Sequence, residues 1–314
     1  MAFKIGIALA AYQPDLKFFV AQLQSIQAQT WTDWECWVSS DSRLDTAHQE
    51  FKPFLADHRF HWSENPSPLG HRLNFQKAIQ SVLALNVDAI ACCDQDDVWY
   101  PRKLEVSIAQ LEAMGPNALV FCDMNLMDAQ GVRSSETAWK VERRGVHHIS
   151  TFDLLVRNVV PGTGMLMRAE LARKFPQIPE AAIFHDHWYP LIASVTGRLK
   201  PIYEPLYAYR LHGDNVVGVE PFEGVFKFKS QSNGFRGVIQ KCKEVWSRSH
   251  RLATALEASN LKLTFFQRLC FAKSWDLGAG LFFYGLSVFF TDPALTRACW
   301  ARAAGKLFYV VGLK

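Results

Sequence analysis

Three carboxylates crowd the four positions 94–97, where "DQDD" follows the apolar run "AIACC". Like charges at that spacing repel. Either a cation sits among Asp94, Asp96 and Asp97, or the segment is a solvated acidic turn ahead of a helix. An Asp-x-Asp pair is what Mg2+ or Mn2+ bound to a diphosphate requires. Such a cation takes hard oxygen ligands, keeps several waters and draws its remaining ligands from substrate phosphates. It would also offset the repulsion between the carboxylates.

The cluster needs a scaffold. Residues 4–10 (KIGIALA) are a short apolar run with β-branched members, which predicts a buried strand. Asp15 can cap a following helix in which Leu16, Phe19, Val20, Leu23 and Ile26 share one face. Residues 34–39 predict a second strand that ends at Asp41, then a polar helix over 45–55 and a short strand over 59–62. Gly70 opens a helix whose Leu73, Ala78, Ile79 and Val82 face inward. Residues 88–93 predict another buried strand, Pro101 stands where a helix takes its first residue, and residues 118–122 are again short and apolar. Strands alternating with helices imply an α/β fold with a mostly parallel sheet and helices on both faces. Ligands gather at the carboxyl ends of such strands. Here those ends carry Tyr12, Asp41, the 94–97 cluster and Asp123.

Seven segments follow one another along the chain: "ALAAYQP", "SSDS", "NPSPLGHRLNF", "DQDDVWYPRKL", "VPGTGMLMR", "HDHW" and "YRLHGDNVVG". In this order, over roughly residues 3–218, they resemble the inverting family two glycosyltransferases of GT-A (Rossmann-like) fold, most closely the bacterial rhamnosyltransferase-like branch. The resemblance implies metal-dependent transfer of a sugar from a nucleotide-diphosphate donor, dTDP-L-rhamnose or a UDP-sugar. The acceptor would be a glycan hydroxyl in bacterial surface polysaccharide synthesis. It also implies roles residue by residue. Tyr12, Asp41, Gly70, Arg72, Asn74 and Asp94 would face the donor nucleotide, with Arg72 reaching toward the diphosphate. Asp96 and His212 would hold Mn2+ or Mg2+, and Asp97, Gly164 and Arg210 would serve the donor sugar and diphosphate. Asp186 would be the base that takes the acceptor proton, and Trp188 would stack on the acceptor. From the residues alone, Asp186 can equally cap a helix over 188–195, and Trp188 can equally fill core. One departure stands out: after the second strand the family's Asp-Asp-Gly-Ser is replaced by Ser40-Asp41-Ser42-Arg43, without the glycine.

Other classes compete. A haloacid-dehalogenase-type phosphatase would use residues 94–98 as a D-x-D-x-V nucleophile motif, but the paired-acid loop it needs is missing after residue 98. A nucleotidyltransferase would want a glycine-rich basic loop after the first strand, and "AAYQPDLK" is not one. A catalytically inactive glycan- or lipid-binding subunit could keep the fold, although an intact Asp96, Asp186 and His212 speak against it.

The 314 residues are 49% hydrophobic, ample for a real core. Seven cysteines without CxxC spacing read as reduced, mostly buried thiols. The first 11 residues read as a strand rather than an export signal, so a cytoplasmic location is expected, with no nucleic acid partner. The net charge of +4 conceals an asymmetry: residues 1–221 hold 20 Lys and Arg against 25 Asp and Glu, and residues 222–314 hold 14 against 5. The division expected is therefore a catalytic domain over 1–218 and a basic, aromatic-rich helical region over 219–314. Within the latter, residues 236–256 read as a basic amphipathic helix, and the apolar run 277–290 has 14 residues, short of the roughly 20 that span a bilayer. Such a tail suits peripheral contact with the inner face of the membrane, where a lipid-linked acceptor would reside. The alternative is a helical cap packed on the main domain.

The membrane reading has a direct consequence. Each Lys or Arg near an anionic leaflet contributes about 1 kcal/mol, so the full chain is expected to sediment with anionic vesicles and to be released by salt. A chain ending near residue 218 should stay in solution. Insoluble truncated protein together with a full chain that ignores vesicles would mark a packed subdomain instead.

Overall fold

The fold is given by a computed structural model that describes residues 3–142, 146, 149–156, 158–213, 248–249, 251–259 and 261. The first half of the chain runs β1 (Ile5–Ala11), α1 (Leu16–Gln27), β2 (Trp34–Ser40), α2 (Lys52–Ala56), β3 (Phe60–Glu64), α3 (His71–Leu83) and β4 (Ala89–Cys93). It continues through β5 (Val98–Trp99), α4 (Lys103–Glu112), β6 (Leu119–Met127), β7 (Arg133–Thr137), α5 (Ala138–Val141) and α6 (Thr151–Val156). The last described elements of the sheet domain are β8 (Met165–Arg168), α7 (Ala169–Lys174), α8 (His185–Val195) and β9 (Leu199–Arg210).

The strands form one sheet in the order β3-β2-β1-β4-β8-β6-β9-β5, with β7 on β6. From β1 the chain steps outward through β2 and β3, then returns to lay β4 on the other side of β1, all in parallel. That reversal between β1 and β4 is the switch point at which open α/β sheets leave a crevice outside their carboxyl ends. Beyond β4 the sheet is mixed rather than mostly parallel. β8 runs antiparallel to both β4 and β6, β9 runs parallel to β6 and antiparallel to β5, and β7 is antiparallel to β6. An antiparallel strand begins where its parallel neighbour ends. This brings the residues just before β8 beside the end of β4, and the end of β9 beside the start of β5.

Alternation along β1 covers both faces of the sheet. Ile5, Ile7 and Leu9 join Phe19 and Leu23 of α1, Trp34 and Phe54 in one core cluster. On the other face α3 crosses Gly6 so closely that a Cβ there would stand 2.9 Å from that of Val82. The α3 residues Phe75, Ala78, Ile79 and Val82 recur at helical spacing and are all buried. Asp15 caps α1 as expected, its carboxylate accepting from the Phe18 N–H at 3.1 Å.

Elsewhere the boundaries differ. The polar segment 45–55 yields only a short helix, Lys52–Ala56, after a 3-10 turn. Pro101 lies in a turn and α4 starts at Lys103. The run at 118–122 extends to Met127 because β9 pairs along its whole length. Cys36, Cys92, Cys93 and Cys122 are free and buried. Cys242, Cys270 and Cys299 lie outside the described residues.

By compactness the chain divides into two units. The first comprises Met1–Ala138, Val160–Ile178 and Ile183–Val219, and the second Trp139–Val159, Pro179–Ala182 and Glu220–Lys314. In the second, the helical residues 248–249 tie to α6 through Ser249 Oγ, which donates to the Leu155 carbonyl at 2.7 Å. Most of the amphipathic helix expected over 236–256, and the whole apolar run 277–290, lie outside the described residues. Among those described, no helix is long and apolar enough to cross a membrane.

The close crossing of α3 over β1 sets a stability prediction. Gly6→Ala forces a methyl into the Val82 side chain within the core, and overpacking of this kind costs about 1–3 kcal/mol. Urea unfolding should show a lower midpoint with an unchanged slope.

Candidate functional site

The acidic turn after β4 is held from three directions. Thr163, two residues before β8, donates its hydroxyl to Asp94 Oδ2 at 2.9 Å and accepts from the Asp94 N–H at 3.1 Å. At the end of β9 the Arg210 N–H donates to Asp97 Oδ1 at 3.2 Å, and Arg210 Nε donates to the Asp96 carbonyl at 2.9 Å. Just beyond, His212 Nε2 meets Asp96 Oδ2 at 2.9 Å, with both side chains still partly exposed.

Electrostatically this turn is under-compensated. Burial and the Asp94 charge push the Asp96 carboxyl pKa upward, with His212 opposing. Burial, then the charges of Asp96 and Asp94, push Asp97 well above the usual carboxylate range. Behind the turn lies Lys103, fully buried, its ammonium 3.8 Å from the centre of the Trp99 ring and without a hydrogen-bond partner among the described residues. Burial lowers its pKa while nearby thiols and Asp97 oppose the shift. Among the described residues, no group of three or more His, Cys, Asp or Glu side chains could hold a metal ion by itself. The set nevertheless suits a hard cation that completes its shell from phosphate and water. Asp96 and His212 share one edge, and the surrounding negative charge is only partly answered.

Across the switch point, the loops after β1 and β2 are laced together. Asp41 is buried, and its Oδ2 accepts from the Gly70 N–H at 2.8 Å while Oδ1 accepts from Asn65 Nδ2 at 2.6 Å. Gly70 adopts φ 78°, a left-handed conformation that explains the glycine without reference to any ligand. Asn74 donates to the Ala11 carbonyl at 3.1 Å, which locks the end of β1 to α3. Tyr12, at 52% exposure, presents an open ring beside this network. The missing family glycine is replaced by a bridge: Ser42 Oγ accepts from the N–H of Gln13, itself held at φ 42°.

Asp186 is in the first turn of α8, two residues past the N-cap Phe184, so it is not the cap that a helix starting at 188 would give it. A helix N-terminus favours negative charge in that turn. Its neighbour His185 is buried, stacked on Phe75 with ring centroids 3.7 Å apart, and held neutral by burial with the nearby His71 adding to the shift.

Several expectations change. Trp188 is 2% exposed, so its ring has no open face for an acceptor and belongs to the core. Arg72 is engaged by the backbone, its Nη1 donating to the Ile178 carbonyl at 2.6 Å. Gly164 is explained by packing: a Cβ there would stand 2.9 Å from the Cys122 carbonyl and from Pro161 Cγ. Asp97 is wholly buried and supports the Arg210 backbone rather than offering an oxygen to a sugar. Gln95 clamps the loop after β1 by accepting from the Tyr12 N–H at 2.8 Å and donating to the Tyr12 carbonyl at 3.2 Å. Sequence reasoning missed Asn65 and Thr163 as partners of the site, although "NPSPLG" and "GTG" mark the loops that carry them.

The Thr163–Asp94 contact can be isolated. Thr163→Val keeps the shape and removes both hydrogen bonds, and a bond to a charged group contributes about 1.5–3 kcal/mol. Chemical denaturation should show a loss of that size.

Comparison with known proteins identifies the framework. EpsE of Bacillus subtilis (strain 168), named as a glycosyltransferase, is 25% identical over 146 residues, 46% of this chain and 51% of EpsE. The chain thus spans about half the length of that curated relative. The crystal structure of S. aureus TarS 1–349 in complex with UDP-GlcNAc matches with a TM-score of 0.53 at 12% identity, covering 98% of this chain and 92% of that one. A mannosyltransferase from Pyrobaculum calidifontis, solved with GDP-Man and Mn2+, matches with a TM-score of 0.50 at 12% identity over 99% of this chain and 88% of its own. At such identity these likenesses speak for a shared GT-A-like fold. The sequence profile described as "Glycosyl transferase family 2" matches residues 10–174, which include the laced loops and the whole acidic turn. By that match the chain belongs to glycosyl transferase family 2.

Proposed function

We propose that the protein is an inverting, metal-dependent glycosyltransferase that moves a sugar from a nucleotide-diphosphate donor to a hydroxyl of a glycan acceptor in bacterial surface polysaccharide synthesis. The observation that carries this reading is the Asp96–His212 pair at 2.9 Å, at the switch point of a family 2 sheet. A pyrimidine donor, with dTDP-L-rhamnose ahead of UDP-sugars, rests on the motif resemblance. The UDP-GlcNAc, GDP-Man and Mn2+ of the similar structures support a nucleotide-sugar donor and a divalent metal without choosing among them. A lipid-linked acceptor and peripheral membrane contact through residues 222–314 complete the reading.

In it, Tyr12 faces the nucleobase, and Asp41, Gly70 and Asn74 hold the loops that shape the nucleoside side. Asp94 reaches the ribose or base, and Arg210 neutralises diphosphate oxygens. Asp96 and His212 would hold Mn2+ or Mg2+, which when bound supplies Lewis-acid stabilisation of the departing diphosphate. The Asp186 carboxylate takes the proton from the acceptor hydroxyl as its oxygen attacks the anomeric carbon. The new glycosidic C–O bond forms as the bond from that carbon to the phosphate oxygen breaks, and configuration inverts. Asp97 supports Arg210, and Arg72, Gly164 and Trp188 serve the fold.

A thermal-shift panel of sugar nucleotides with and without Mn2+ tests this, because a ligand that binds only the native state raises its stability by mass action. The largest shift is expected from a dTDP- or UDP-linked sugar, and preference for a purine nucleotide would overturn the donor. Asp96→Asn should abolish the Mn2+-dependent part of the shift. Asp186→Asn should keep it while transfer falls about 10²–10⁴-fold. Binding without turnover of any sugar nucleotide by the unaltered protein would favour an inactive binding subunit.

A further inference from the structure

Arg210 and His212 share an aromatic neighbour outside the acidic turn. Phe18 is the third residue of α1. Its ring lies 4.4 Å from the Arg210 guanidinium carbon and 5.5 Å from the His212 ring centroid, tilted by 40° to that imidazole. The start of α1 is itself fixed, since the Phe18 N–H is the donor bound by the cap Asp15. Asp15 adds attraction, its charge acting on Arg210 in the same sense as those of Asp96 and Asp97. Arg210 is 4% exposed, and a guanidinium that gives up most of its water gains more from an aromatic face than an exposed one does. Arg210 is the last residue of β9 and His212 lies two residues beyond it, so the ring sits where the strand gives way to the loop.

We infer that Phe18 is a positioning residue for the metal and diphosphate site: its ring seats the Arg210 guanidinium and the His212 imidazole so that both meet Asp96. This rests on the glycosyltransferase reading for its functional meaning, and on ring geometry alone for its structural one. The ring contributes no ligand and no proton. It sets where two groups that do contribute are found.

The experiment uses the full chain with Phe18→Leu and Phe18→Met, which keep apolar volume without an aromatic face, and Phe18→Tyr, which keeps the face. Hydrogen exchange reports on residues 209–213 directly, and Mn2+-dependent binding of UDP and of dTDP reports on function. Loss of a cation–π contact of this kind should speed exchange in that segment by about 3- to 30-fold and weaken the Mn2+-dependent part of nucleotide affinity by a similar factor. Metal-free nucleotide binding should weaken less, through Arg210 alone, and Phe18→Tyr should behave as the unaltered protein. Unchanged exchange at 209–213 in the Leu and Met variants overturns the inference, as does equal loss in the Tyr variant. If exchange responds but the unaltered protein binds neither nucleotide with Mn2+, the glycosyltransferase reading fails and the functional role assigned to Phe18 falls with it.

Discussion

Repulsion among three carboxylates at one strand end is the constraint around which this domain is arranged. Asp94, Asp96 and Asp97 cannot separate, because β4 and β5 pin the turn at both sides. Each acid is answered differently. Asp94 receives a hydroxyl and anchors its own N–H through the same group. Asp97 is buried beneath the turn and takes a backbone N–H. Asp96 keeps partial exposure and faces His212. The compensation falls short of neutralising the group, since burial and mutual repulsion still raise both Asp96 and Asp97. Both acids are therefore harder to ionise than an exposed carboxylate.

The mixed sheet brings the partners of these acids to one edge. A purely parallel sheet delivers only strand ends to the carboxyl edge, each after a crossover. By inserting β8 antiparallel to β4, the chain brings the loop before a strand, with Thr163, to that edge. By pairing β9 with β6 in parallel and with β5 antiparallel, it brings Arg210 and His212 back to the acidic turn. The buried Lys103 rests its ammonium on Trp99 and feels the charges of nearby thiols and, to a smaller extent, of Asp97. A buried amine without a hydrogen bond is costly, and the aromatic face of Trp99 offsets part of that cost.

Around the ends of β1 and β2 the logic is rigidity rather than charge. Asp41, Asn65, Gly70 and Asn74 form one network that joins the ends of β1 and β2 to the start of α3. Asp41 is occupied on both oxygens, so its contribution is to hold the loop in place. The left-handed Gln13 beside the exposed Tyr12 shows backbone strain concentrated in this region, as is common where a loop is shaped for a ligand.

What the sequence determined by itself was local. Alternation and helical spacing marked β1, α1, β2, α3 and β4, and a cap marked the start of α1, because these signals come from neighbours within a few positions. The order of the motifs carried the family, and the composition of residues 94–97 announced a charge problem. Tertiary structure decided how that problem is met. The partners of the acidic turn lie 69 residues away for Thr163 and 116 for His212, and no periodicity or spacing encodes such pairings. Burial separated the acids, sinking Asp97 and leaving Asp96 reachable, and the same burial withdrew Trp188 from any acceptor. Gln95 became a clamp on Tyr12, 83 residues distant, because the switch point sets the ends of β1 and β4 side by side. Which side chains could do chemistry was written in the chain, but which of them meet was settled by the antiparallel strands that bring distant loops to one edge.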